Sequence, residues 1–452
     1  MLRIRGLTLV CTAVAAAVVA AGTSPGATPP ASCGKLLPPT AGMYFGANPD
    51  FVASPRRLEG ETVTAERLAE YAHLAGRAPV LASFVQHWFL GLEFPLRKVL
   101  TIWRGGAVPY IRMHSHAGSP FGEGNPPEQY PGDYSLQNII DGEFDRELRA
   151  WAAAARDTNI PLVVEFGDEE NADWGPWGGI WNGGGETTGF GDPTFPDGPE
   201  RFRAAYRHLV TLFRDAGATN VTWVFHMVQW FQPNRPWESF ANYYPGDDYV
   251  DWLALSVFGT NNLPDGTTAS FEQVLATFHA PDYPGIYAEI TSLGQKPLAL
   301  QYVGVPERRP GLMAEWIRGM FETLRSGRYP RVALVSWFQS EDYGSRLDRT
   351  PEATAAFRAG AADALFDAKP RFGGNCLPSR PSQVSARRVG KTVRVRWNVV
   401  PNAAAYEVWR AGRLVATTTA TRFERRSASR ATYRIRAVNP VGPGPFSRPV
   451  TR

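Results

Sequence analysis

Between Gly42 and about Pro370, short apolar runs of strand length alternate with amphipathic runs of helix length, and this alternation restricts the fold more than any other feature of the chain. The spacing predicts strands over 43–47, 80–84, 107–113, 161–166, 221–226, 252–258, 297–303 and 331–338. It predicts helices over 65–74, 144–157, 199–216, 310–326 and 351–362. In the second of these, Leu148, Trp151, Ala152 and Ala155 recur at helical spacing and form one inward stripe. Strands separated by helices need right-handed crossovers and therefore a parallel sheet. Eight of them in about 330 residues predict an α/β chain closed into a (β/α)8 barrel. An open, doubly wound sheet needs a glycine-rich phosphate turn after its first strand; Phe45-Gly46-Ala47-Asn48-Pro49-Asp50 is not one.

The two ends differ from this middle. Arg3 and Arg5 precede an apolar run from Leu7 to Ala20, which is too short for a comfortable span and ends in small residues. That pattern predicts a cleaved signal peptide, a secreted chain and no integral membrane segment. From Pro381 onward polar and apolar residues alternate with period two, as in Thr392-Val393-Arg394-Val395-Arg396-Trp397, which predicts an all-β sandwich. The stretch resembles a fibronectin type III domain, with Trp397, Tyr406 and Tyr433 as core residues. The expected organisation is a leader over 1–32, the barrel over 33–378 and the sandwich over 379–452. Cys11 falls in the leader, leaving Cys33 and Cys376 to flank the barrel, where one disulfide would staple its ends. Residues 379–452 carry sixteen Lys/Arg against two Asp/Glu, a net of +14; residues 33–378 carry twenty-nine against forty-one, a net of −12. The tail is therefore expected to meet an anionic surface or the acidic barrel. Its basic residues are dispersed along strands without base-stacking aromatics, so nucleic acid is not the expected partner.

The segment richest in chemistry is 161–177, where a buried strand ends and Asp168, Glu169 and Glu170 follow in a row. Carboxyls crowded at the C-terminal end of a barrel strand lie where barrel enzymes react, and repulsion with partial burial raises one of their pKa values. A raised carboxyl can protonate a glycosidic oxygen near neutral pH. The following loop, 171–198, combines glycine with several tryptophans, and flat rings stack on the apolar faces of sugars. The ligand expected from these residues is a polysaccharide.

Four stretches resemble glycoside hydrolase family 26, known best for β-mannanases: 139–151, 161–177, 244–252 and the run from Lys296-Pro297. The family's His-Glu-Met-Asn-Gly-x-Trp aligns with Asp168-Glu169-Glu170-Asn171-Ala172-Asp173-Trp174. The resemblance implies a hydrolase of β-linked polysaccharide, mannan-type first. It implies that Glu169 is the acid/base, with Asn171 beside it and Trp174 and Trp177 lining the sugar platform. Trp88, His226, Trp230 and Trp337, at or just past other strand ends, are further cleft candidates.

The chain also departs from that pattern. The family's nucleophilic Glu shortly after Lys-Pro falls here on Tyr302, or on Gln301 if the register slips by one. Glu341, after the eighth strand, is a candidate substitute, and Asp168 is a candidate base in an inverting arrangement. If no partner for Glu169 exists, the barrel would bind glycan without cleaving it. No cofactor is expected. His114 and His116 are spaced as a metal-binding pair, but the sequence places no third ligand, so they are read as hydrogen-bonded loop residues and no metal is expected. The protein is expected to be a monomer.

Overall fold

A computed structural model describes residues 32–51, 62–116, 132–229, 235–259, 266–276, 283–427 and 429–452. Residues 1–31 of the expected leader and Trp230 lie outside the described residues. The chain opens with β1 (Cys33–Leu37) and enters a closed barrel of eight strands. These are β2 (Tyr44–Asn48), β3 (Leu81–His87), β4 (Val108–His114), β5 (Leu162–Phe166), β6 (Val221–Val228), β7 (Trp252–Phe258), β8 (Leu298–Gly304) and β9 (Val332–Phe338). Every neighbouring pair is parallel, and β9 closes on β2. The expected strands lie within three residues of the observed ones. They were readable because a parallel strand is covered on both faces and reads as a nearly unbroken apolar run; β6, Val-Thr-Trp-Val-Phe-His-Met-Val, is buried throughout.

The helices outside the barrel use ordinary signals. The helix Asp145–Thr158 buries Leu148, Trp151, Ala152 and Ala155, carries Asp145 and Glu147 in its first turn, and ends on Asn159 in the left-handed region. Thr350 caps Pro351–Ala361 through the Ala353 amide, with Pro351 at the first turn. That helix packs so closely on Leu312–Arg325 that a Cβ at Gly360 would lie 1.9 Å from the Phe321 ring. Among the described residues no helix is long and apolar enough to cross a membrane.

The expected disulfide is present, together with a two-stranded ribbon that the sequence did not predict, and the two close the barrel's lower end. β1 pairs antiparallel with β10 (Arg371–Gly374), and Cys33 is disulfide-bonded to Cys376 across 343 residues of chain. Leu36 N–H donates to Thr222 Oγ1, the Trp252 indole donates to the Leu36 carbonyl, and Lys35 pairs with Asp251. All these partners sit at the N-terminal ends of strands, so the ribbon plugs the end opposite the one where barrels react.

Beyond the ribbon two antiparallel sheets form a β-sandwich: Ser385–Val389, Thr392–Arg396 and Arg422–Arg426 in one, and strands centred on Ala405–Arg410 and Thr432–Asn439 in the other. Val393, Val395, Trp397, Tyr406, Val408, Tyr433 and Ile435 fill its core. The sandwich touches the barrel through Asn402. Its amide donates to the Thr158 carbonyl, and its own carbonyl accepts from the Trp103 indole. Both contacts lie at the C-terminal ends of helices, at the plugged end.

Candidate active site

The acidic trio crowns β5. The strand stops at Phe166, and the chain turns through Gly167 at φ 60° and Glu169 at φ 59°. A glutamate in the left-handed region is uncommon and must be held there by its surroundings. Here Gly167 N–H donates to the Met113 carbonyl of β4, and Glu169 N–H donates to the His226 carbonyl of β6. The Trp177 indole donates to the Asp168 carbonyl at 2.8 Å and lies so close over the turn that a Cβ at Gly167 would come within 2.6 Å of it. Trp177, expected on the sugar platform, is itself buried and serves as the floor under this turn.

Side chains from five strands, β4 to β8, meet above it. Ser256 on β7 donates its hydroxyl to Glu169 Oε1. His226 bridges Ser256 Oγ at 2.9 Å and Glu165 Oε2 at 3.0 Å, and Glu165 also accepts from the Tyr110 hydroxyl at 2.6 Å. On the other side the Tyr302 hydroxyl donates to Asp168 Oδ2 at 2.5 Å and accepts from Arg112. His114 Nε2 lies 2.6 Å from Asp168 Oδ1, a close polar contact. The strand register slips on both sides of Gln301, so that Tyr302 stands beside Ser256. A bulge of this kind re-aims a side chain next to a reacting centre.

The environment drives two neighbouring carboxyls apart. Burial, then the charge of Asp168, pushes Glu169 up to about 8. Burial acts in the same sense on Asp168, but the charge and contact of His114 together with Arg112 outweigh it and hold that carboxyl well below its usual range. Burial opposes charge on His226, yet Glu165 raises it above its ordinary value. Tyr302 is pushed well above the usual phenol range by burial, with Arg112 opposing and Asp168 reinforcing. Near neutrality the turn therefore presents a protonated Glu169 beside an ionised Asp168, with Tyr302 keeping its proton.

Glu170 points elsewhere. It is fully buried, neither carboxyl oxygen has a hydrogen-bond partner among the described residues, and burial pushes it well above its ordinary value. It is a neutral acid in the packing, where the resembling signature has methionine. Replacing it, Glu170→Met, is expected to stabilise the fold, because an unsatisfied buried polar group costs about 1–3 kcal/mol. The gain should grow with pH. A carboxyl raised in the folded state contributes most below the unfolded pKa and loses that contribution as pH rises towards the folded value, at up to about 1.4 kcal/mol per pH unit. Urea unfolding of both chains at pH 4.5 and 7 measures this, and an advantage no larger at pH 7 would exclude the buried neutral acid.

The other expected site residues divide. Gln301 is buried, donating its side-chain amide to Asn48 Oδ1 at 3.0 Å while its backbone carbonyl accepts from the Asn48 amide. Asn171 uses its amide on the Val228 backbone, bonding both its N–H and C=O, and so ties the loop to β6. Trp174 is half-buried on the loop and keeps an accessible face. Trp88 and Trp337 are corrections to the sequence reading. Trp88 is wholly buried among Tyr134, Phe144 and Phe166, and Trp337 donates to the Ser345 carbonyl while packing on Trp316 and Phe357 outside the barrel. Alternation along β9 sends Trp337 outward and leaves Phe338 at the mouth. Glu341 is a further correction: it is 67% exposed and ion-paired with Arg346 and Arg349. An exposed carboxylate engaged by two guanidiniums is not a buried partner for Glu169.

Sequence reasoning passed over Arg112 and Ser256 and read His114, which ends β4, only as a loop residue, although a charged residue such as Arg112 inside a buried strand is itself a signal. It also passed over Phe258, Phe338 and Tyr343, which are half-buried; Phe258 and Phe338 flank the Tyr302 ring at 6.4 and 5.1 Å, and Tyr343 packs on both. Two groups have metal-ligating character among the described residues: Glu165, Asp168 and His226, of which Glu165 and His226 are hydrogen-bonded to each other, and His87, His114 and His116.

Residues 132–292 match the model of glycosyl hydrolase family 26. The matched segment runs from the approach to Asp145–Thr158 through β5, β6 and β7, and so includes the acidic turn, His226 and Ser256. Over 231 residues the chain is 28% identical to Endoglucanase H of Acetivibrio thermocellus, covering 50% of this chain and 23% of that protein. Over 124 residues it is 23% identical to Beta-1,3-xylanase TXYA of Vibrio sp, covering 27% of this chain and 22% of that protein. The chain thus spans under a quarter of the length of the curated relatives it matches. Among solved structures it is similar to a Cellulomonas fimi endo-beta-1,4-mannanase double mutant, with 20% identity, 91% of this chain and 93% of the other covered, and a TM-score of 0.47. It is also similar to the catalytic domain of the Bacillus sp. JAMB-750 GH26 endo-beta-1,4-mannanase, with 20% identity, coverage of 72% and 86%, and a TM-score of 0.48.

Proposed function

We propose that the chain is a secreted glycoside hydrolase of β-linked polysaccharide, mannan-type first, in which Glu169 is the proton donor and Asp168 its ionised partner. The observation that carries this reading is the pair of adjacent buried carboxyls at the barrel mouth, one raised to about 8 and the other held well below its ordinary value. Groups whose environments separate their pKa values in this way divide into acid and anion. The family 26 match over 132–292 supports the reaction class.

In this reading Ser256 orients Glu169 by donating to Oε1, leaving Oε2 to carry the proton towards the glycosidic oxygen. Positive charge then develops on the sugar, and Asp168 meets it as an anion. Tyr302 stands at the position where the resemblance expects a nucleophilic Glu. We assign it as a positioning residue rather than the nucleophile, because its own pKa is raised and that of its acceptor is lowered, so the proton stays on the phenol. Phe258, Phe338, Tyr343 and Trp174 are the rings offered to sugar faces. The C-terminal sandwich, taken as a fibronectin type III-like domain over 379–452, is a basic spacer attached away from the mouth.

A second reading is favoured by a specific observation: β8 supplies Gln301 and Tyr302 where a carboxylate is expected, and Glu341 is held by arginines. That barrel would bind glycan without cleaving it. One panel separates the two. The chain is incubated with mannan, β-1,4-glucan, β-1,3-xylan and β-1,4-xylan, and both new reducing ends and retardation in gels containing each polymer are measured. New reducing ends on a β-linked polymer are expected, and retardation without them would establish the binding-only barrel.

A further inference from the structure

The geometry points to a divalent transition-metal site of the zinc type, formed by His87, His114 and His116 at the barrel mouth beside the acidic turn. The inference rests on no part of the glycosidase reading. His87 is the last residue of β3 and His114 the last of β4, and the parallel register sets them directly opposite each other. His116 returns two residues later, so its ring meets both others, with centroids 5.0 Å from His87 and 6.4 Å from His114. Three of the chain's seven histidines thus converge, and one ligand atom from each lies within 4.8 Å of the others. An ion about 2.0–2.1 Å from each nitrogen needs them roughly 3–4 Å apart, a difference that small ring rotations close.

Two further observations separate this cluster from packed rings. His114 is buried, and its Nδ1 has no hydrogen-bond partner among the described residues, while its Nε2 faces the Asp168 carboxylate at 2.6 Å. A metal-bound imidazole has this arrangement, one nitrogen on the ion and the other held by a carboxylate that sets ring orientation and tautomer. His87 Nδ1 and His116 Nε2 approach to 2.8 Å. A proton shared between those two rings accounts for that approach but leaves His114 Nδ1 unexplained, whereas a cation accounts for all three. Phe89 packs on His87 and His116, and Trp177 on His114 at 4.3 Å, giving the site an apolar wall. His87 is half-buried, so one side stays open. Imidazole nitrogens around a site with an open position suit zinc, cobalt or nickel better than calcium or magnesium, which prefer oxygen.

The test uses the full chain made without a histidine tag, stripped with chelator and checked for an unchanged circular-dichroism spectrum. Zn2+ uptake is followed by calorimetry, and Co2+ serves as an optical probe. One Zn2+ per chain and a visible Co2+ d–d spectrum are expected. Both should be lost or weakened on the order of 100-fold in His87→Gln and in His116→Gln, since even outer-shell changes cost 10–100-fold. Asp168→Asn should weaken binding by roughly tenfold or more while keeping the stoichiometry. A folded, stripped wild-type chain that takes up no Zn2+ would overturn the site without reference to any variant. So would a His87→Gln/His116→Gln double variant that keeps wild-type affinity and stoichiometry.

Discussion

Glu169→Gln is expected to turn over an aryl β-glycoside with a poor leaving group roughly 10²–10⁴-fold more slowly than the wild type, and to lose far less on a good leaving group. The asymmetry follows from the role. A leaving group that departs readily as an anion needs little protonation, so removing the donor costs little there. Glutamine keeps the volume and still accepts from Ser256, so the turn at φ 59° and its bond to the His226 carbonyl remain. The pH profile gives a second reading of the same residue. Glu169 must be protonated in the free enzyme, so wild-type kcat/KM should fall as pH rises through about 8, the value to which burial and Asp168 push this carboxyl. That limb should vanish in Glu169→Gln. Equal slowing of good and poor leaving groups, with the alkaline limb retained, would remove Glu169 from the role of donor.

Asp168→Asn should lower kcat by on the order of 10³-fold whatever the leaving group, because it removes a fixed anion facing a developing positive charge. Tyr302→Phe should cost about tenfold, the loss of a single hydrogen bond to that anion. The comparison decides which group is the partner of Glu169. If the phenol were the nucleophile, Tyr302→Phe would be the deeper lesion. The proton position argues against that. Burial and the neighbouring carboxylate oppose a phenolate, while His114 and Arg112 favour a carboxylate at Asp168. Proton NMR of the first-formed sugar then tells whether Asp168 attacks the sugar or activates a water: retention follows from attack, inversion from water.

Much of the site was visible one residue at a time and misread in groups. Glu169 stood out because three acids after a buried strand are expensive unless used. Trp88 and Trp337 also stood out, and both proved to be core, because a ring near a strand end can face the mouth or the helices and a string of letters does not say which. Glu341 looked available, although Arg346 and Arg349 stand close enough in sequence to have suggested its ion pairs. His114 and His116 lacked a third ligand only because His87 lies on the preceding strand, and the partner appears once the strands are paired in register.

The barrel could be derived from the order of residues alone, since burial on both faces forces parallel strands into apolar runs and the outer helices into amphipathic ones, and those periods survive in one dimension. The same holds for the acidic turn after β5 and for two cysteines positioned to join the ends. Which side chains meet was settled only by closing the sheet. Closure sets Ser256 on Glu169, Tyr302 and His114 on Asp168, and His87 beside His114, and those contacts give neighbouring carboxyls opposite protonation. A pKa belongs to an environment assembled from strands dozens to more than a hundred residues apart, and no local stretch of sequence contains it.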